Sequence, residues 1–335
     1  MSIMVKQAPI SEKEMIAEAE KALADISRIR DGVGRVIFGQ ESVVERTLVA
    51  LLAGGHALLV GVPGLAKTKL VETLGVVLGL DSNRIQFTPD LMPSDILGSE
   101  VLEQNEGGKR SFRFIPGPIF AQLLMADEIN RASPRTQSAL LQSMQEYHVT
   151  VAGARHDLPS PFHVLATQNP LEQEGTYPLP EAQLDRFLMQ IDILYPEIEA
   201  ERRILLETTG VEDAKAQNVL NPERLKEIQA LIRRMPVPES VVDAILKLVR
   251  SARPGQGNVD ADKHIAWGPG PRASQALTLC ARARALYDGR LAPSIDDIHA
   301  LAEPVLQHRM ALTFAARAEG MTVRDVIAGL VKAQG

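Results

Sequence analysis

The pattern of apolar and polar residues divides the chain into two parts of different character. Up to residue 193, short apolar runs of strand length alternate with segments that carry apolar residues at helical spacing. Strands are predicted at 56–60, 85–88, 122–127, 162–167 and 188–193. Strands separated by helices indicate an α/β fold with a parallel sheet covered on both faces. After residue 196 the pattern becomes a series of amphipathic helices.

Two further segments alternate with the period of a strand around a turn. In residues 100–115 the arms EVLEQ and RSFRFI flank the turn Asn105-Glu106-Gly107-Gly108, and residues 147–158 repeat the pattern on a smaller scale. Both segments are predicted to be hairpins inserted between elements of the sheet. On an isolated hairpin Phe112 and Phe114 would be exposed, so a contact with the core or with a partner is expected.

The length and the change of pattern indicate two domains and an N-terminal appendage. A chain of 335 residues exceeds the usual size of one domain. We expect an N-terminal helix packed on the core over 1–34, an α/β core over 35–195 and a smaller all-helical domain over 196–335. No Gly/Ser-rich linker interrupts the chain near 195, so the two domains should pack against each other.

Composition narrows the class of protein. With 45% hydrophobic and 23% charged residues, and without a run of about 18 apolar residues, the chain is typical of a soluble protein with no transmembrane segment. Residues 1–30 contain no apolar signal segment, so a cytoplasmic location is expected. The single cysteine, Cys280, excludes an intramolecular disulfide and lies in a helical pattern that predicts burial. The net charge of -6 argues against nucleic acid as the main partner.

The stretch LLVGVPGLAKT at 58–68 carries the most specific chemistry. An apolar strand, a glycine turn and Lys67-Thr68 at a helix start would surround a phosphate with backbone N–H groups and an ammonium. The predicted phosphate-binding residues are Gly61, Val62, Pro63, Gly64, Leu65, Ala66, Lys67, Thr68 and Lys69. Ala66 replaces the second glycine of the usual motif. That replacement is tolerable if the backbone there does not need a positive φ.

A magnesium site is predicted where the run QLLMAD ends in Asp127-Glu128. Thr68 would ligate Mg²⁺, Asp127 would hold the metal or its waters, and Glu128 would orient and deprotonate the attacking water. An apolar strand followed by two acids can also simply enter a surface loop. The combination with Lys67, about 60 residues earlier, favours binding and hydrolysis of MgATP.

Four motifs together resemble the MoxR family of AAA+ ATPases. They are GVPGLAKT at 61–68, LMADEINRASPRTQSALLQSMQE at 124–146, ATQNP at 166–170 and LPEAQLDRF at 179–187. The resemblance runs from Gly39-Gln40 nearly to the C-terminus, and the alanine before Lys67 is usual in this family. It implies an AAA+ P-loop core with a parallel five-stranded sheet and a helical lid, and it places Gly39-Gln40 near the adenine.

The resemblance also implies roles for polar residues outside the phosphate loop. Asn169 fits sensor 1, Arg186 fits an arginine finger that reaches the nucleotide of a neighbouring subunit, and Arg272 fits sensor 2. A cation at a helix start, as at Arg272, is unfavourable unless an anion compensates it. An unremarkable loop asparagine, a surface ion pair and a solvated arginine are the respective alternatives. Arg131 is a lesser candidate for the trans-acting arginine, with a structural role equally open.

The function that this resemblance implies is chaperone-like. The chain would form a ring, expected to be a hexamer, and use MgATP hydrolysis to remodel or mature a client complex, with a partner that contains a von Willebrand factor A domain. The sequence identifies neither the client nor any cofactor or metal insertion step. A nucleic-acid-directed AAA+ motor, a nucleotide-dependent scaffold and a small-molecule kinase remain as alternatives. The acidic balance disfavours the motor, and a kinase has no use for a neighbour's Arg186.

Overall fold

The computed structural model describes residues 12–104, 110–172, 174–208 and 215–334. Its helices are α1 Glu12–Gly34, α2 Glu41–Leu52, α3 Lys67–Leu78, α4 Pro93–Leu97, α5 Pro134–Glu146, α6 Glu181–Leu184, α7 Ile198–Thr208, α8 Pro222–Arg234, α9 Glu239–Ser251, α10 Val259–His264, α11 Pro271–Tyr287, α12 Ile295–Leu306, α13 Phe314–Ala318 and α14 Val323–Lys332. Its strands are β1 Ala57–Val60, β2 Ser82–Gln86, β3 Gly98–Gln104, β4 Arg110–Pro116, β5 Leu123–Asp127, β6 His148–Val151, β7 Ala154–Asp157, β8 His163–Gln168, β9 Met189–Asp192, β10 Ile265–Trp267 and β11 Ala311–Leu312.

A parallel five-stranded sheet organises the first part of the chain, in the order β2-β5-β8-β1-β9. The central strands are buried on both faces, which explains their continuous apolar runs. This confirms the predicted α/β class and its five-stranded parallel sheet. The expected strand 85–88 is instead Ser82–Gln86, because β2 is an edge strand on which only Ile85 is buried and the apolar signal is weak.

Both predicted hairpins are present as antiparallel pairs, β3 with β4 and β6 with β7. The predicted turn at 105–108 lies outside the described residues. Phe114 stacks on His156 of the second hairpin, with ring centroids 3.8 Å apart, and meets Phe120 edge-on. Phe112 remains 70% exposed. Of the two aromatic residues expected to contact the core or a partner, only Phe114 makes such a contact within the described part of the chain.

The C-terminal part consists of helices α7 to α14 and one short antiparallel pair, β10 with β11. The all-helical expectation therefore needs this correction, since strands of two and three residues are too short to give a periodic signal. Cys280 is fully buried in α11, and burial raises the pKa of its thiol to about 12. Helix α1 packs against α3, α8 and α11, so it contacts both parts of the molecule.

Within the described ranges, no helix is both long enough and apolar enough to cross a bilayer.

Candidate active site

The loop between β1 and α3 has a backbone that requires its two glycines. Gly61 follows β1, and its N–H donates to the carbonyl oxygen of Gln168 at 3.1 Å. A Cβ at Gly61 would lie 2.9 Å from the carbonyl oxygen of Ile193, closer than a side chain tolerates. Gly64 has φ 85°, in the left-handed region that favours glycine. The glycines of the motif are therefore fixed by geometry.

Ala66 is expected to be tolerable if its backbone does not need a positive φ, and the structure contradicts that condition. Its φ is 55° and its ψ is 22°, so it adopts the left-handed conformation immediately before α3 begins. The turn from the loop into the helix demands this conformation, which costs a non-glycine residue about 1–2 kcal/mol. The phosphate loop is thus strained at Ala66, and the surrounding structure offsets that strain.

Lys67 is the first residue of α3, and its side chain turns back into the preceding loop. Its ammonium donates to the carbonyl oxygens of Gly61 at 2.6 Å and Val62 at 2.9 Å. Burial lowers the pKa of Lys67, while the nearby carboxylates of Asp127 and Glu128 act in the opposite direction. A phosphate oxygen would be a stronger acceptor for this ammonium than either carbonyl.

Asp127, at the end of β5, is oriented by two donors. Its Oδ1 accepts a hydrogen bond from the hydroxyl of Thr167 at 2.5 Å, and its Oδ2 accepts from Arg84 Nη2 at 2.6 Å and Nε at 3.2 Å. Sequence reasoning missed both partners, although Arg84 is a polar residue on an adjacent strand of a parallel sheet. Oδ1, which accepts one hydrogen bond, retains a lone pair for a metal-bound water.

Glu128 is held on three sides. Its backbone, at φ 56°, is left-handed, and its N–H donates to Thr167 Oγ1 at 2.9 Å. Its Oε2 accepts from Gln86 Nε2 at 2.7 Å and from Arg131 Nη1 at 3.2 Å. Arg131 therefore pairs with the catalytic candidate of its own chain. Gln86, which sequence reasoning also missed, reaches Glu128 because β2 and β5 are neighbours in register, with Gln86 opposite Asp127.

Asn169 completes the arrangement from the loop after β8. It is buried, and its Oδ1 accepts from the N–H of Leu171 at 3.1 Å. A cavity of about 430 Å³, here called the phosphate-loop cavity, is lined by Pro63, Gly64, Leu65, Ala66, Lys67, Thr68, Lys69, Asp127, Glu128, Thr167 and Asn169. The structure thus brings together the predicted phosphate, metal, base and sensor 1 residues.

Gly39 and Gln40 stand beside this cavity rather than in its lining. The Gln40 side-chain amide donates to the carbonyl oxygen of Leu65 at 3.1 Å, which ties it to the phosphate loop. Gln40 Oε1 is buried and has no hydrogen-bond partner in the described part of the chain. Gly39 has φ 68°, and a Cβ there would clash with Ala200 of α7.

Arg186 and Arg272 lie in a different place. They line a second cavity of about 260 Å³, here called the arginine cavity, whose charged lining residues are Asp185, Arg186, Arg233, Arg272 and Arg309. This cavity also touches Gly55 and His56 before β1 and Leu188 before β9. The phosphate loop follows the other end of β1, so the length of that strand, about 13 Å, separates the two edges. The structure does not bring these two arginines to the phosphate loop of their own chain.

Arg186 is a cation without a carboxylate partner. Its Nε is buried with no acceptor, and among the described residues no carboxylate lies within 4 Å of its guanidinium. Burial and the nearby Arg272 lower its pKa, while the carboxylate of Glu146, more than 4 Å away, acts in the opposite direction. Arg272, about half exposed, lies 3.6 Å from Asp185. The alternative of an ordinary surface ion pair therefore has no partner at Arg186.

Comparisons with known proteins agree with this architecture. Residues 56–189 match the family described as the ATPase family associated with various cellular activities (AAA), and residues 259–330 match the AAA lid domain. A crystal structure of a protein from Cytophaga hutchinsonii, described as an ATPase, superposes with a TM-score of 0.88 at 38% identity, covering 96% of this chain and 97% of the other. The fold and the site define an AAA-type ATP hydrolase with a lid.

Curated relatives narrow the class further. Chaperone MoxR1 of Mycobacterium tuberculosis is 45% identical over 88% of this chain and 78% of its own length. Protein MoxR of Methylorubrum extorquens is 30% identical over 85% of this chain and 87% of its own length. The chain belongs to the MoxR family of AAA ATPases, as its motifs predicted.

Proposed function

We propose that the phosphate-loop cavity hydrolyses MgATP with the division of roles that the motifs predict. The loop at 61–69 binds the phosphates, Thr68 and Asp127 hold the metal, and Glu128 deprotonates the attacking water. Asn169 positions that water beside the terminal phosphate. The observation that carries the proposal is the convergence of these side chains on one cavity of about 430 Å³.

The chemistry of the lining residues fits a magnesium nucleotide. The described residues contain no group of three or more His, Cys, Asp or Glu that could bind a metal without help. Thr68 and Asp127 suit Mg²⁺, which commonly takes one or two protein ligands together with substrate phosphates and water. The bound ion would neutralise phosphate charge as it develops. The unpartnered Oε1 of Gln40 is an acceptor available to the amino group of an adenine.

The hydrogen bonds around the acidic pair give each residue a separate task. Thr167 donates to Asp127 and accepts from the Glu128 backbone, which fixes the two carboxylates relative to each other. Arg84 forms an ion pair with Asp127 at 2.6 Å, which orients that carboxylate beside the phosphate loop. Gln86 and Arg131 both hold Glu128 through Oε2, so Oε1, which has no hydrogen bond among the described residues, can accept a proton from water.

The second half of each active site comes from a neighbouring subunit in this proposal. Arg186, a partly buried cation without a carboxylate partner, would meet the terminal phosphate bound by the adjacent chain, and Arg272 would assist it. Subunits related head to tail in this way form a closed ring, which we take to be a hexamer. A monomer would have a nucleotide site without its arginines.

The work driven by hydrolysis is proposed to be the remodelling or maturation of a client complex. Support comes from a relative that is named a chaperone. The von Willebrand factor A domain partner, the cytoplasmic location and the division into 1–34, 35–195 and 196–335 rest on the sequence and the family resemblance. Nucleic-acid-stimulated turnover would instead favour the motor alternative.

Glu128→Gln tests the site directly. The amide keeps the size of the side chain and one acceptor oxygen but does not take a proton from water, so turnover should fall by about 10²–10⁴-fold. Binding of a fluorescent ATP analogue should remain within the error of the wild type, since Glu128 is not assigned to the phosphates. Undiminished hydrolysis would remove Glu128 from its role. Lys67→Ala is the matched variant in which nucleotide binding itself should be lost.

The same Glu128→Gln variant also serves to identify the client. Crosslinking in the native cell, followed by purification of the nucleotide-bound variant, should recover a protein with a von Willebrand factor A domain. A set of partners in which no such domain occurs would overturn the assignment of the partner class and leave the ATPase site untouched.

A further inference from the structure

Among the residues that the structure describes, Arg309 is the largest fully buried side chain, and it carries a charge. It ends a short 3-10 turn, Gln307–Arg309, in the segment that matches the lid model. Its Nε donates to Asp185 Oδ1 at 2.7 Å, and its Nη2 donates to the carbonyl oxygens of Phe187 at 2.7 Å and Asp185 at 3.2 Å. Its Nη1 donates to the carbonyl oxygens of Val305 at 2.6 Å and Leu188 at 3.2 Å.

Most of these acceptors belong to the short segment that carries Arg186. Arg309 binds the backbone immediately before Arg186, at Asp185, and immediately after it, at Phe187. The Arg186 side chain itself is not bound and lines the arginine cavity. The opposite carboxylate oxygen of Asp185 faces Arg272 at 3.6 Å. Arg309 thus fixes the backbone on both sides of Arg186, and it also fixes the Asp185 carboxylate that lies beside Arg272.

His308, the residue before Arg309, is also buried. His308 Nε2 lies 2.7 Å from Arg309 Nη1 and 3.1 Å from the carbonyl oxygen of Phe187. His308 Nδ1 is buried without a partner among the described residues. Burial and the adjacent Arg309 together lower the pKa of His308 well below its usual value. The histidine therefore remains neutral and leaves the guanidinium as the single charge of the turn.

The energetics of this arrangement point away from a purely stabilising role. Burying a guanidinium has a large desolvation cost, and its partners offset that cost only when their geometry is excellent. Apolar residues of similar volume at such a position often give a protein that is equally stable. What a guanidinium adds is a planar fork of donors that fixes several acceptors at once. Lysine, with one compact ammonium on a flexible stem, lacks that fork.

We infer that Arg309 is a positioning residue for hydrolysis in the neighbouring subunit: it holds the 185–188 backbone so that Arg186, with Arg272, projects into the arginine cavity. This inference rests on the proposed role of Arg186 in trans. Arg309 is buried and its donors are directed at groups of its own chain, so it would act through Arg186 rather than on the phosphate itself. Its loss should therefore lower turnover without changing the affinity of the phosphate-loop cavity of its own chain.

Arg309→Lys in the full-length chain is the test. We expect turnover to fall by about 10²-fold, the usual consequence of displacing a catalytic group by about 1 Å, with the dissociation constant of a fluorescent ATP analogue unchanged. Mixed with Lys67→Ala subunits, which keep an intact arginine cavity, Arg309→Lys subunits should regain activity, because their own phosphate loops are intact. A merely structural defect would stay with the Arg309→Lys subunit and would not be relieved by a neighbour.

Arg284→Lys is the matched control. Arg284 also joins the two parts of the molecule, through Glu45 of α2 at 3.1 Å and the buried Asp297 at 2.7 Å, but it binds nothing in the 185–188 segment. Its replacement should lower the melting temperature and leave turnover unchanged. An equal loss of turnover in Arg284→Lys would mean that any loosening of the lid has this effect, and it would overturn the inference.

The outcomes separate the inference from the proposed function. Recovery in mixtures of Arg186→Ala with Lys67→Ala, without recovery for Arg309→Lys, would overturn the role of Arg309 and leave Arg186 in trans intact. No recovery in either mixture would overturn both. Full activity of Arg309→Lys by itself would also overturn the inference. If Arg309→Lys does not fold, Asp185→Asn, which removes the carboxylate shared by Arg309 and Arg272, should show the same one-directional rescue.

Discussion

The phosphate-loop cavity and the arginine cavity lie at opposite ends of β1 and differ in charge balance. The first is lined by two lysines and two carboxylates, so its charges compensate each other before any ligand binds. The second is lined by four arginines and one aspartate. A cavity with so large an excess of positive charge is suited to an anion that its own chain does not supply. The contrast supports an active site assembled from two subunits.

The largest expected effect that separates the two cavities is that of Arg186→Ala. Because an arginine finger is worth about 10³-fold or more, turnover should fall by at least that factor. ATP binding should be unchanged, since Arg186 does not line the phosphate-loop cavity. Steady-state turnover and titration with a fluorescent nucleotide measure the two effects. Arg28→Ala, at an exposed arginine of α1, should be silent in both.

If Arg186→Ala instead weakened nucleotide binding by dilute, monomeric protein, the two cavities would not be independent within one chain. The difference between the phosphate-loop cavity and the arginine cavity would then no longer support an active site built from two subunits.

Acid should act on the arginine-cavity edge of the sheet through two buried histidines. His56 and His163 have pKa values lowered to about 3 and about 4, chiefly by burial. Both values lie below the unfolded value of about 6.5, so the unfolded state takes up protons first. The contribution of these histidines to the free energy of unfolding is therefore fully present above about pH 6.5 and is lost as the pH falls toward the folded pKa values. The loss should reach about 2 kcal/mol per histidine at pH 5.

Urea unfolding between pH 7.5 and pH 5 measures this loss. In His163→Asn the free energy of unfolding should depend less on pH, because the contribution of one of the two histidines is removed. The same slope in wild type and variant would show that His163 does not stay neutral in the folded protein.

The smallest expected effect concerns the phosphate loop itself. Ala66→Gly removes the strain of a left-handed alanine but adds freedom to the unfolded chain, so the net gain in unfolding free energy should be about 0.5–1 kcal/mol. Ala328→Gly, at an exposed helical position of α14, is the matched control and should lose about 1 kcal/mol. Equal losses at both positions would show that Ala66 is not strained.

Most residues that line the phosphate-loop cavity could be predicted because they lie in short sequence motifs. Lys67, Asp127, Glu128 and Asn169 each lie at or after the carboxyl end of a buried strand, and parallel strands end at a common edge, so their convergence could be predicted. The backbone angle at Ala66 could not, because the motif gives residue types and the turn decides the angle.

Residues whose role depends on packing were missed. Arg84 reaches Asp127 from 43 positions away because β2 and β5 are neighbours, and no local pattern records that order. Arg309 reaches Asp185 across 124 positions because the lid packs on the start of β9. Its segment shows only a helical pattern, in which a buried arginine is not distinguishable from an exposed one.

In the proposed assembly, the phosphate-loop cavity of one subunit and the arginine cavity of its neighbour make one active site. Mixing Arg186→Ala subunits with Lys67→Ala subunits tests it, because each variant lacks a different half and neither should hydrolyse ATP alone. In mixed assemblies verified by mass, some sites pair an intact phosphate loop with an intact neighbouring Arg186, and we predict that turnover returns. Absence of any recovery in verified mixed assemblies would contradict the claim.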